Sequence, residues 1–190
     1  MEFRQELEAA AAAKGLELPL LAALVEKESA GDASAWNPEP RYRYLWNVRT
    51  RQPFRRVSDL ELAARFPPKD FPALAGDPDN EWWGQMASWG LTQIMGAVAR
   101  ELGYRAPFLP ALCRDVAANL ELGAEHLAGN IKWAAALYVG LESGRQAAAT
   151  RAGLAAYNGG RAGNAPSGPL RSAAYADDVL ERYRRIRSTL

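Results

Sequence analysis

Apolar residues recur with a helical period at both ends of this chain and lose that period in between. Residues 3–14 predict a first amphipathic helix that stops at Gly15, and residues 19–29 predict a second with Pro19 in its first turn. In the second, Leu20, Leu21, Leu24 and Val25 form one apolar stripe, and Glu28, four positions after Leu24, falls inside it. Glu26 is expected to point into water, and Lys27 to sit at the edge of the stripe with a stem long enough to reach solvent. From Leu91 the period returns: Leu91, Ile94, Met95, Val98 and Leu102 share a face and predict a helix ending at Gly103. Further helices are predicted over 115–141, 145–157 and 172–187, the last with Tyr175, Val179, Tyr183 and Ile186 on one side. Period-two patterns are scarce, so the expected fold class is mainly α.

The segment 31–87 is different. It is rich in proline, arginine and aromatic residues and carries one modest helical pattern, over 58–66. A loop this long within a compact domain is usually functional or disordered. Five of the six tryptophans lie between Trp36 and Trp89, which argues against disorder. With no internal repeat and no boundary signal, 190 residues are expected to form a single domain.

Composition adds exclusions. Hydrophobic residues at 48% and charged residues at 24% fit a globular protein, and a net charge of +1 gives no general argument for nucleic-acid or membrane binding. Cys113 is the one cysteine, which rules out an internal disulfide or a cysteine metal cluster and predicts a buried structural thiol. The N-terminal residues lack the basic start, apolar stretch and cleavage site of a secretory signal, and no apolar stretch is long enough to span a bilayer. The expectation is synthesis in the cytoplasm, with no stable membrane insertion.

Glu28 is the first candidate for chemistry. Burial on an apolar face disfavours the charged carboxylate and raises its pKa, which suits a general acid near neutral pH. A partly buried structural glutamate would share this placement. Two other stretches stand out: Ser88-Trp89-Gly90-Leu91-Thr92-Gln93-Ile94-Met95, read as a glycine turn opening a helix, and Ala156-Tyr157-Asn158-Gly159-Gly160, where a helix stops at a glycine pair.

In combination and order, with Glu28-Ser29 first, these stretches resemble the lytic transglycosylase (SLT-type) domains of the lysozyme-like superfamily, which are related to goose-type lysozymes. The resemblance covers about residues 16 to 187 in outline. The family helix between the second and third motifs resembles Asn119-Leu120-Glu121-Leu122-Gly123-Ala124, and a further helix carries a tyrosine, as Tyr175 does here. It implies one lysozyme-like helical catalytic domain over 1–190, with a long, aromatic-rich, mostly irregular insertion at about 31–87. It also implies roles. Glu28 is the catalytic acid and base. Ser29, Ser88, Gln93, Met95, Tyr157, Asn158 and Tyr175 bind substrate, with Ser88, Gln93 and Met95 around the sugar at the cleavage point. Tyr157 and Asn158 position Glu28 and the substrate's acetamido group. The implied reaction cleaves the MurNAc–GlcNAc β-1,4 bond of peptidoglycan and leaves a 1,6-anhydro-MurNAc end. It needs one carboxyl group, no cofactor and no metal. The implied partner is the glycan strand, with the protein a monomer that acts on the bacterial wall, either as a phage lysis or virion protein or as a bacterial enzyme trimmed of its signal.

Two alternatives stay open: a goose-type muramidase hydrolysing the same bond with a second carboxylate, for which Asp79 and Glu81 are candidates, and a glycan-binding or structural tail module without turnover. Thr92 stands where the family usually has methionine, and Gly96 where proline is common. Trp36, Trp46, Trp82, Trp83 and Trp89, with Tyr42 and Tyr44, form either a satellite core or flat faces for sugar rings. Arg41, Arg43, Arg49, Arg51, Arg55 and Arg56 read as a solvated face or as an attraction for an acidic wall polymer. Asp77-Pro78-Asp79-Asn80-Glu81 begins like a calcium loop, but Trp82 and Ser88 stand where an EF-hand needs glycine and glutamate. His126 reads as a satisfied or half-exposed helix residue. Arg182, Arg184, Arg185 and Arg187 read as a solvated helix face or, alternatively, as a contact for an anionic envelope surface.

Overall fold

A computed structural model describes residues 3–64 and 66–189. Met1 and Glu2, part of the N-terminal reading, and Arg65, inside the helix predicted over 58–66, lie outside the described residues. In chain order the elements are α1 (Arg4–Lys14), α2 (Leu18–Ser29), β1 (Trp36–Pro38), β2 (Trp46–Asn47), β3 (Gln52–Pro53), α3 (Asp59–Ala63), α4 (Pro78–Gln85), β4 (Ala87–Trp89), β5 (Ile94–Met95), α5 (Gly96–Glu101), a 3-10 turn (Leu109–Cys113), α6 (Val116–Leu137), α7 (Glu142–Gly159) and α8 (Ala173–Arg187). Helix accounts for 55% of the described residues and strand for 6%, so the fold is mainly α. No helix among the described residues is long and apolar enough to cross a membrane. The chain divides into two compact units, residues 1–31 with 123–190 and residues 32–122, and the boundary falls inside α6.

Unit 1 is helical. α1 ends as its sequence predicts, with Gly15 left-handed at φ 66° and its N–H returning to the last turn. α2 has Pro19 in its first turn and buries every residue from Leu20 to Val25. Each of its buried leucines contributes roughly 1.5–3 kcal/mol relative to exposure. α8 runs antiparallel to α2: Tyr183 donates to Glu17 at 2.9 Å near one end, while Lys27 pairs with Asp178 at 2.5 Å toward the other. Glu26 does not point into open water but accepts from both Arg182 (2.6 Å) and Arg185 (2.5 Å), which removes those two arginines from a freely solvated face. α6 ends at Leu137, short of the predicted 141, and α7 begins at Glu142, before the predicted 145. At the break, a Cβ on Gly140 would strike the Tyr138 ring and one on Gly144 its hydroxyl, so both glycines pack closely on that tyrosine.

Unit 2 holds the strands. β1, β4 and β5 form an antiparallel sheet in that order, with Trp36 opposite Trp89, Asn37 opposite Ser88, and Ser88 opposite Met95. β2 and β3 form a separate ribbon. One core gathers Trp89, Ile94, Val98, Leu109, Leu112 and Leu122; another gathers Leu45, Val57, Phe71, Trp82 and Met86. The second is the satellite core expected for part of the aromatic set: Trp82 is wholly buried, with Phe71 edge-on to it at 4.9 Å. The predicted helix over 58–66 shortens to α3, opened by a capping box between Ser58 and Glu61. α4 has no counterpart in the sequence reading. It starts at Pro78 behind an Asp77 cap, so the residues that mimic a calcium loop are a helix start.

The helix predicted from Leu91 needs correction. Gly90 and Gln93 both have positive φ, 67° and 46°, and close the turn between β4 and β5, so the helix opens only at Gly96. The Thr92 N–H goes to the Asn119 side chain at 3.0 Å rather than into a helical ladder. Leu91 and Ile94 are buried all the same, which is why their spacing reads as a helix face. Gly96 packs its Cα so close to the Gly84 carbonyl that any Cβ would collide with it, so proline has no room at this position.

Candidate active site

In unit 1, Glu28 sits in the last turn of α2, half-buried, where the apolar stripe meets α8. Burial raises its pKa above the ordinary 4.5, opposed by a hydrogen bond from Tyr175 and by the charge of Lys27. The Tyr175 hydroxyl donates to Glu28 Oε1, which leaves Oε2 to carry a proton. Tyr175 itself is held in its neutral donor form, because burial and the nearby Glu28 carboxylate push its pKa far up. Lys27 adds a second constraint, with Nζ 5.8 Å from the centre of the Tyr175 ring while paired with Asp178.

Ser29 closes α2. Its hydroxyl donates to Val25 O at 3.2 Å and accepts from Gly31 N–H at 3.2 Å, around a left-handed Ala30. Tyr157 and Asn158 lie in the last turn of α7, with Tyr157 half-buried and Asn158 exposed. The Tyr157 ring packs at 5.0 Å against His126, whose pKa is pushed down to about 4 by burial and by Arg161, so the imidazole is neutral at neutral pH. Asn164 is a residue that sequence reasoning missed. Wholly buried, it donates to Gly160 O at 2.7 Å and accepts from Ser172 N–H at 2.9 Å, fixing the connection from which α8 carries Tyr175. Gly159 is needed beside it, since a Cβ there would strike Ser172.

In unit 2, the other predicted residues share the β4–β5 hairpin. Ser88 Oγ donates to Gln93 Oε1 at 2.8 Å, and Gln93 Nε2 donates to Gly90 O at 2.9 Å and Ala35 O at 3.1 Å. Met95 lies opposite Ser88 and packs on the hairpin's core. Thr92 points into the interior, bonded through Oγ1 to Asn119, and Asn119 Nδ2 also donates to Trp89 O at 2.8 Å. Asn119 therefore ties the hairpin to α6, a role its sequence position did not reveal.

The two candidate second carboxylates differ. Glu81 is buried, with Oε1 and Oε2 bonded to Arg100 Nε and Nη2 at 2.9 and 2.8 Å and with Gln85 also donating to Oε1 at 2.9 Å. Arg100 gives its remaining bonds to Tyr104 O and Ala106 O, so Glu81 belongs to an interior network. Asp79 is half-buried in the first turn of α4. Among the basic residues of the segment, Arg43 is bonded by Asp59, and Arg55 by Glu61 and Asp70 at 2.6 and 2.7 Å. Cys113 is half-buried, its thiol 3.6 Å from Ala35 O and raised in pKa by burial. No group of three or more His, Cys, Asp or Glu among the described residues is arranged to hold a metal ion.

The Transglycosylase SLT domain family matches this chain over residues 5–168. The chain belongs to that family. Its members are peptidoglycan-cleaving lytic transglycosylases, so this SLT domain is an enzyme acting on the cell wall. The match spans Glu28, the Ser88–Met95 hairpin and the Tyr157-Asn158 pair, and ends before Tyr175. No curated protein and no solved structure matches the chain.

Proposed function

We propose that Glu28 is the single acid and base of a lytic transglycosylase that cuts the MurNAc–GlcNAc β-1,4 bond. The observation that carries this is the half-buried Glu28 carboxyl, its proton affinity raised by burial and one oxygen held by Tyr175. In the first step Oε2 gives its proton to the glycosidic oxygen, and the GlcNAc fragment leaves with a new hydroxyl. In the second, the Glu28 carboxylate takes the proton of the MurNAc C6 hydroxyl as that oxygen bonds to C1. A 1,6-anhydro ring closes, Glu28 is protonated again, and no water is consumed. In this scheme Ser29, Tyr157 and Asn158 contact the substrate, with Asn158 at its acetamido group. Ser88, Gln93 and Met95 contact the sugar at the cut bond. The 190 residues work as one catalytic domain.

The hydrolytic alternative needs a second carboxylate to hold water, and the capture of both Glu81 oxygens by Arg100 disfavours that candidate. Mass spectrometry of purified peptidoglycan digested by the protein tests the reading. Anhydro ends support it, and reducing ends alone overturn it in favour of hydrolysis. Glu28→Gln should lower wall clearing by at least about a hundredfold. Equal clearing by the variant would remove Glu28 from the mechanism.

A further inference from the structure

Successive side chains of a strand point to opposite faces. The β1–β4 register therefore puts Trp36, Trp89, Pro38 and Ala87 on one face of the sheet, and Asn37 and Ser88 on the other. The face opposite Ser88 opens into a cleft of about 230 Å3. Its walls include Trp36, Pro38, Trp89 and, from outside the sheet, Asn80, Trp83 and Phe108. Trp36 stacks on Trp89 with centroids 6.0 Å apart and planes 16° apart, yet 60% of Trp36 is exposed. Trp83 and Phe108 are 42% and 54% exposed, whereas Trp82, next along α4, is wholly buried. So much apolar aromatic surface left in water around one concave site marks a binding surface.

We propose that this cleft is an accessory saccharide site, holding one neutral N-acetylated pyranose ring of the glycan on the sheet face away from Ser88. It rests on the reading of the enzyme as one that acts on glycan strands. The cleft lining contains no charged side chain, which favours an uncharged ligand over an acidic polymer or a charged peptide. The negative faces of Trp36 and Trp83 suit the polarised C–H bonds on the flat side of a pyranose, and the Asn80 amide offers a donor and an acceptor to its hydroxyl or acetamido groups. The volume lies below the roughly 300–1,000 Å3 of sites for drug-sized ligands, which fits one ring rather than a chain. Trp89 is fixed by its Nε1 donating to Gly84 O at 2.9 Å, so the Trp36 stack has a rigid base before any ligand arrives and binding orders little. A second grip on a polymer raises the local concentration of the bonds to be cut.

The test uses the full chain carrying Glu28→Gln, titrated with chitotetraose and followed by the indole N–H signals in NMR. The Trp36 and Trp83 signals should shift, and Trp36→Ala or Trp83→Ala should weaken this binding about tenfold. With Glu28 intact, either cleft variant should cleave soluble muropeptide dimers at the unaltered rate but be retained less on insoluble peptidoglycan. Shifts confined to other residues, or unchanged affinity in both variants, overturn the proposal. It is overturned equally if a proline-rich peptide or self-association moves these signals and chitotetraose does not. A chain that releases anhydro ends without indole shifts loses the cleft alone, and one that binds at the cleft but yields no anhydro ends loses the proposed reaction alone.

Discussion

Glu28 in unit 1 is held by helix packing and by polar groups that water can still reach, whereas the Ser88–Gln93 hairpin of unit 2 rests on polar groups that water cannot. Around Glu28, the ion pairs Lys27–Asp178, Arg182–Asp178 and Arg182–Glu26 each leave a third or so of both side chains exposed. In unit 2, Arg100, Gln85, Thr92 and Asn119 are wholly buried, and Glu81 nearly so. A half-exposed pair that loses a partner is rescued by solvent, while a buried group that loses its partner bears the desolvation cost alone. Unit 2 is therefore brittle to single polar substitutions. The half-exposed polar shell around Glu28 tolerates them in stability and registers them in chemistry.

The sharpest break of that contrast is Arg100→Leu, which strands Glu81 in the interior. It should cost about 3–5 kcal/mol, seen as a lower urea midpoint, and Glu81→Met added to it should recover most of the loss. A single variant as stable as the wild type would show that water reaches Glu81, and the contrast would collapse.

Next come the two buried asparagines, one in each unit. Asn119→Ala removes the side chain bonded to the Thr92 N–H and the Trp89 carbonyl, and Asn164→Ala removes the one bonded to the Ser172 N–H and the Gly160 carbonyl. Each should cost about 1–3 kcal/mol in denaturant unfolding. Asn164→Ala should also lower turnover, because Asn164 anchors the start of the helix that brings Tyr175 to Glu28. If its turnover per folded molecule equals the wild type's, Asn164 is a stability residue only.

The same contrast explains what could be read from the chain. α1, α2 and α8 are legible because each turns one apolar stripe inward, and Gly15 and Pro19 mark their ends with backbone geometry that local sequence dictates. Glu28 is legible for the same reason, as a carboxyl at a stripe position. The 88–95 hairpin was not, since its shape comes from Asn119, far along the chain, bonding to Thr92 and Trp89. α4 hid behind Asp77-Pro78, which reads equally as a turn. Glu81 passed as a candidate carboxylate because nothing near it in sequence announces Arg100. Long-range side-chain bonds have no period, so they leave no trace in a hydrophobic pattern.

Tyr175→Phe probes the polar shell of unit 1. The hydrogen bond favours ionised Glu28, so its removal should push the carboxyl's pKa further above 4.5. The limb on which turnover falls at high pH should move to higher pH, while maximal turnover falls about tenfold as Glu28 loses its anchor. Urea unfolding should change little. An unmoved pH limb would mean that Tyr175 does not touch the working carboxyl in solution.

The smallest expected effect is the stability of Glu28→Gln, and its sign is diagnostic. Glu28 binds a proton more tightly folded than unfolded, so its protonation favours the fold. That contribution is complete below the ordinary value of 4.5 and is lost as pH rises through the higher folded value. Above it, an ionised carboxylate in a half-buried place opposes folding, a cost that glutamine does not carry. Glu28→Gln should therefore melt above the wild type at neutral pH, and the gap should close as the pH falls below 4.5. A gap of equal size at every pH would trace the difference to packing and remove burial as the source of the proton affinity. A gap that closes would mean that the helix face of unit 1 gives up stability to hold an acid that can still protonate a leaving group near neutrality.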